Sequence, residues 1–186
     1  MKKAMGLTGM IAIILLTLIG CSGEANNKAG ASGVSIEEIA RSIKEQIGED
    51  LSAVGVADAL KDGVLQSYIE SDLVKKDENN PDSDFLIEKL AINANDLEEG
   101  YIIAAMMNVN SDEIIILKAK DESKVDGLIE ALKKEKEAQT NTWEQYLPDQ
   151  FEKVNNNIIK VKGSYLIYIT YEHPEKLEKI FDDKLK

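Results

Sequence analysis

The chain has 186 residues, 22 of them Lys or Arg against 34 Asp or Glu, for a formal net charge of −12. So acidic a surface repels phosphate backbones and anionic headgroups, which excludes nucleic acid as an expected partner and a domain lying flat on lipid. One cysteine and one histidine supply neither a disulfide framework nor a thiolate or histidine-rich metal site, so no metal or cofactor is assigned.

In chain order, Lys2 and Lys3 precede an uncharged apolar run from about Ala4 to Ile19, which ends in Leu18-Ile19-Gly20-Cys21. A charged start, an apolar stretch and a small residue before the cut are the parts of a secretory signal. With Cys after the cut, the order resembles the lipobox of bacterial lipoproteins. The resemblance implies cleavage between Gly20 and Cys21, lipid on the Cys21 thiol, and attachment to the extracytoplasmic face of the cell membrane. Two acyl chains suffice for stable anchoring where one is marginal. Residues 1–20 are thus expected to be removed, 21–33 to form a lipidated flexible tether of small polar residues, and 34–186 to fold as one domain. Cleavage also removes two lysines, leaving 20 basic against 34 acidic residues.

Ser35-Ile36-Glu37-Glu38 is a capping box, and Ile36, Ile39, Ala40, Ile43 and Ile47 follow at helical spacing, predicting a helix over about 36–47 that stops at Gly48. Leu60, Val64, Tyr68 and Ile69 predict a second helix over about 57–70, weakened by Gly63. A polar loop runs from Lys75 to Asp84, a short helix follows over 85–91, and 96–100 reads as a turn. Residues 101–108 and 113–120 are Ile-rich and predict a β-hairpin. Asp121 caps a helix carrying Val125, Leu128, Ile129 and Leu132, whose charged extension over 133–140 is expected to be solvated. Residues 143–154 are expected to be helical with a restart at Pro148. A second hairpin, 158–162 with 165–171, turns at Lys162-Gly163, and Pro174 opens a last helix.

Ile114-Ile115-Ile116-Leu117, Asp121 and Val125 recur 52 residues on as Leu166-Ile167-Tyr168-Ile169, His173 and Leu177. The pattern predicts an α+β fold. Two β-β-α units build a four-stranded antiparallel sheet, helices cover one face, and a helical segment precedes them. Lys118, Lys160, Lys162 and Thr170 are expected on the other, solvated face.

At Met106-Met107-Asn108-Val109-x-Ser111-Asp112-Glu113-Ile114 and Trp143-x-x-Tyr146-Leu147-Pro148-Asp149-Gln150 the chain resembles the DUF4358 lipoproteins of Firmicutes, a domain of unknown function. The resemblance covers about 86–186, with 49–84 longer and more divergent. It implies a small α+β extracytoplasmic domain on a Gram-positive cell and carries no chemistry.

The candidates for chemistry are few. His173 lacks the partners a triad or zinc site needs, and no G-x-S-x-G or H-E-x-x-H is present. Asp77, Glu78, Asn79, Asp82 and Asp84 could offer oxygens to calcium. The EF-hand order fails, however: Pro81 falls at a ligand position, Asp82 replaces the required Gly, and Lys89 stands near the closing Glu. Asp112 and Glu113 fall in the first hairpin tip, where neighbours point to opposite faces and cannot pair with each other. Trp143, Tyr146, Leu147 and Phe151 form an aromatic stripe that packs on the sheet or, if Trp143 and Tyr146 are exposed, makes a binding hot spot.

No catalytic residue is assigned. The expected role is a non-enzymatic protein-interaction or ligand-binding module at the cell envelope, with the membrane held through Cys21 and an envelope protein or ligand as partner. The alternative is a carboxylate-dependent hydrolase acting on cell-wall material, against which the scarcity of aromatics counts. The anchor assignment has a direct check: Cys21→Ala should accumulate as an unprocessed precursor on immunoblots of cell fractions. A normally cut, membrane-retained product would contradict it.

Overall fold

The computed structural model describes residues 33–75, 82–106 and 108–186. Gly20, Cys21 and nearly all of the tether lie outside the described residues, as do Asp77, Glu78 and Asn79 of the acidic loop. The described residues fall within one compact unit, Ala31–Lys186.

The first helix, α1 (Ile36–Ala53), begins as the capping box predicts, with Ser35 Oγ accepting from Glu38 N. It runs past Gly48 for another turn and a half. Gly48 is not a stop but a contact: a Cβ there would sit 2.8 Å from Leu60 Cβ. The second predicted helix is absent. In its place stand β1 (Leu60–Lys61) and β2 (Val64–Leu65), a small hairpin turning at Asp62-Gly63, and then β3 (Tyr68–Asp72). Asp62 and Gly63 both have positive φ, 52° and 80°, as a two-residue type I′ turn requires. The Asp-Gly pair was the hairpin signal, and the apolar spacing around it imitated a helix.

The short helix after the loop forms as α2 (Ser83–Lys89). Residues 97–100 are not a turn but the start of a long strand, β4 (Leu97–Ala105), which bulges between Leu97 and Glu99. Gly100 lets β4 pass close to Leu73, whose Cβ would lie 3.1 Å from an added Cβ. The chain continues through β5 (Glu113–Ala119), α3 (Val125–Trp143), α4 (Pro148–Asn155), β6 (Ile158–Lys162), β7 (Tyr165–Thr170) and α5 (Pro174–Lys184). Pro148 and Pro174 each occupy a first helical turn, where a missing N–H costs nothing.

The sheet has five strands rather than four, in the order β3-β4-β5-β7-β6, all antiparallel. Both predicted hairpins join it, and β3 adds an edge. Helices cover both faces, against the expectation of one. On one face, α1 and α5 pack on Ile103, Ile114, Ile116, Ile167 and Ile169. On the other, α2 and α3 pack on Ile102, Ile115, Leu117, Leu166 and Tyr168.

Register explains why the repeat misled. Paired residues share a face, and Ile115 pairs Tyr168 while Ile116 pairs Ile167. Residues 52 apart, such as Ile115 and Ile167, therefore lie one step out of register and on opposite faces. The helix after each strand follows its own strand, so α3 and α5 are on opposite sides. No bare face remains for the expected polar residues. Thr170 is fully buried. Lys118 is nearly so, held by Glu98 and Glu99 at 2.9 and 3.2 Å. Lys160 and Lys162 reach acceptors on α5.

Gly48→Ala separates helix propensity from packing. Propensity alone would gain about 1 kcal/mol. The overlap with Leu60 should instead yield a net loss of about 1–3 kcal/mol in urea denaturation. A stabilised variant would show that Leu60 yields freely.

Candidate functional site

The two sequence motifs, 106–114 and 143–150, meet at one end of the sheet. The connection from β4 to β5 is held by its own polar side chains: Asn110 Oδ1 accepts from Asp112 N at 3.0 Å, and Asn110 Nδ2 donates to Asp112 Oδ2 at 3.0 Å. Helix α4 clamps it from outside. Gln150 Oε1 accepts from Ser111 N at 2.9 Å and lies 3.0 Å from Ser111 Oγ. Lys153, one turn on, donates to Asp112 Oδ1 at 2.7 Å and to Asn110 Oδ1 at 3.1 Å. Tyr68 of β3 donates its hydroxyl to Asp112 Oδ2 at 2.6 Å. Burial and then the Asp112 charge push the Tyr68 phenol far above its usual range.

Asp112 and Glu113 are therefore not a surface pair: they are 6% and 4% exposed. They do point to opposite faces, as strand geometry requires. Glu113 enters the α3 side, where Lys89 Nζ lies 3.4 Å from Glu113 Oε1 and 2.8 Å from Glu135 Oε1. Glu135 also accepts from Gln139 Nε2 at 2.7 Å, and Gln139 Oε1 accepts from Trp143 Nε1 at 2.9 Å. Burial first, and then the Glu135 charge, raise the Glu113 carboxyl to about 8 despite Lys89. Glu135 departs from the solvated extension expected over 133–140: it is buried, because its turn of α3 faces the sheet end.

The aromatic stripe divides. Trp143 is buried at 6% exposure, while Tyr146 is 53% exposed with its ring centroid 5.7 Å from that of Trp143. Met106 and Val109 are exposed in the same connection that carries Asp112. Of the four residues singled out by sequence, only Tyr146 faces solvent. Lys89, Glu135, Lys153 and Tyr68 were missed. Lys153 was within reach of inspection, one turn after Gln150. The others come from separate elements brought together by the sheet.

A groove of about 810 Å³ lies elsewhere, between α1 and the ends of β3 and β4. Glu37, Arg41, Asp72 and Glu98 line its rim and Tyr101 its floor. Two of its lining residues share an acceptor: Lys44 donates to Glu70 at 2.7 Å and the Tyr101 hydroxyl donates to the same oxygen at 2.9 Å. Glu38, also lining it, is held below the usual carboxylate range by a hydrogen bond from Lys184. Glu113, the carboxyl raised by burial, is not part of this groove. His173 is exposed at the start of α5, 3.8 Å from Glu175. Among the described residues no group of three or more His, Cys, Asp or Glu is placed to hold a metal, and no helix is long and apolar enough to cross a membrane.

The Asp112–Lys153 pair is the keystone of the connection. Lys153→Met should leave a buried, uncompensated carboxylate and cost about 3–5 kcal/mol of stability, part of which Asp112→Asn should restore in the double variant. A loss below about 1 kcal/mol in urea melts would place the pair with ordinary surface bridges.

No curated protein and no solved structure matches this chain. The DUF4358 family, described as a domain of unknown function, matches residues 71–171, from within β3 to just beyond β7. The match starts further upstream than the motifs indicated and takes in the sheet with α2, α3 and α4. Covering more than half of the sequence, it establishes that the chain belongs to the DUF4358 family.

Proposed function

We propose that the protein is a lipoprotein, anchored through Cys21 on the extracytoplasmic face of the cell membrane, whose domain works as a non-enzymatic binding module. One observation carries this: the chain enters the fold at one end of the sheet, and Met106, Val109 and Tyr146, three of its exposed large apolar side chains, lie at the other. Tyr165 hydroxyl donates to Val34 O at 2.8 Å, fixing the entry point beside the end of β5 that carries Lys118. β5 then runs seven residues to Glu113, a span of about 20 Å. Met106, Val109 and Tyr146 stand at that far end. A domain tethered at its entry point leaves this end free to meet a partner. Aromatic and Met side chains set on a rigid scaffold are what interface anchors are made of.

The hydrolase alternative finds less support. It calls for converging carboxylates with raised pKa in a cleft. Glu113 is raised but closed to solvent, and the open groove is elsewhere.

The test is a crosslinked pull-down from intact cells with the full lipoprotein tagged at its C-terminus. The control carries the same signal, Cys21 and tether on an unrelated domain. A protein enriched only by the real domain, and lost when Met106→Glu and Val109→Glu are introduced together, is the expected result. Capture that survives the double substitution would remove this end of the domain as the binding surface. No specific capture would count against an interaction module altogether.

A further inference from the structure

Lys153 Nζ touches two side chains of the connection between β4 and β5: Asp112 Oδ1 at 2.7 Å and Asn110 Oδ1 at 3.1 Å. The second contact sets a primary amine beside an amide carbonyl, whose carbon is one bond behind the contacted oxygen. The amide is held in one orientation. Its oxygen meets two donors, Lys153 Nζ and Asp112 N at 3.0 Å, and its nitrogen donates to Asp112 Oδ2 at 3.0 Å. One carboxylate therefore touches both nitrogens, the lysine's through Oδ1 and the amide's through Oδ2. The Tyr68 hydroxyl, 2.6 Å from Oδ2, fixes that carboxylate in place. Water is largely kept out: the side chains of Lys153 and Asp112 are 10% and 6% exposed.

These are the parts of an acyl transfer: a nucleophile, a carbonyl with a backbone donor on its oxygen, and a carboxylate in reach of both the attacking and the leaving nitrogen. We propose that Lys153 and Asn110 join in an intramolecular amide cross-link, formed by the folded protein itself with Asp112 as the proton carrier. Nζ passes a proton to Asp112 Oδ1, which replaces two buried charges with none. The amine's electron pair then bonds to Asn110 Cγ, and the carbonyl pair moves onto Asn110 Oδ1, where the Asp112 N–H holds it. Asp112 hands its proton to Asn110 Nδ2 and takes another from Nζ. The pair on Oδ1 re-forms the carbonyl as the Cγ–Nδ2 bond breaks. Ammonia leaves and carries off the proton on Asp112, which restores the carboxylate. Nothing is oxidised or reduced, and no co-reactant is needed.

The link would tie the β4–β5 connection to α4 across a separation of 43 residues. A chain with a single cysteine can form no internal disulfide, and this bond would serve as its covalent brace. Closing so long a loop restricts the unfolded chain and stiffens the connection that carries Met106 and Val109.

The test is a tryptic peptide map of the full chain, purified in detergent and read by tandem mass spectrometry. Trypsin does not cut after an acylated lysine. The expected product is one branched peptide joining residues 90–118 to residues 137–160, lighter than the sum of the two by one ammonia, with the cut after Lys153 lost. Lys153→Arg, which keeps the positive charge but removes the amine nucleophile, should give separate peptides. So should Asp112→Asn, which keeps the shape but cannot carry the proton; a branch through Asn110 that still forms there overturns the role given to Asp112. Recovery of 90–118 and 137–153 as separate, unmodified peptides from the natural protein overturns the proposal, and that measurement needs no variant to fold. A branch lighter by one water also overturns it, since that bond would join Lys153 to Asp112 instead.

Discussion

β5 and β7 have no solvent-facing side, and the rest of the molecule is arranged around that fact. Ile114-Ile115-Ile116-Leu117 and Leu166-Ile167-Tyr168-Ile169 run through adjacent, antiparallel strands with every side chain buried. Burying each such side chain is worth roughly 1.5–3 kcal/mol, and the gain requires cover above and below the sheet. α1 and α5 supply it on one side, α2 and α3 on the other. β4 and β6 flank the pair, and β3 closes the edge beyond β4.

The same constraint governs where polar groups end up. At the end of β5 the apolar run gives way to Asp112 and Glu113, still inside the envelope of the fold. Each is drawn to its own face, and each face had to find a lysine: Lys153 from α4 for one, Lys89 from α2 for the other. The match is unequal. The Asp112 carboxylate accepts three hydrogen bonds, from Tyr68, Asn110 and Lys153, whereas Glu113 shares its lysine and keeps one oxygen unpaired. One carboxyl is thus fully paired and the other is not.

Much of this was legible in the sequence, and the failures have identifiable causes. The capping box at Ser35, the prolines at 148 and 174 and the second hairpin are local signals, and each forms where the residues place it, while the first hairpin begins earlier than expected, at Leu97. The Asp62-Gly63 turn is equally local, but Leu60, Val64 and Tyr68 fall at spacings that suit helix and hairpin alike. The two covered faces were also written in the chain, because the central strands are continuous apolar runs rather than alternating ones. The repeat obscured this, since an even offset across an antiparallel ladder of this register inverts the face. The site was less legible. Glu135 sits in a run of charges that looks solvated, and only the meeting of α2, α3 and β5 shows that one of those charges is internal.

The ends of the domain carry a mechanical consequence. Lys184 of α5 pairs with Glu38 of α1 at 3.0 Å, so the first and last helices are fastened together near the point where the chain enters. The exposed connection between β4 and β5 is at the far end of the strands. A load pulled between those two places is directed along the strands, across the direction in which the sheet's hydrogen bonds lie. A fold loaded in this direction resists force through its barrier to unfolding rather than its equilibrium stability.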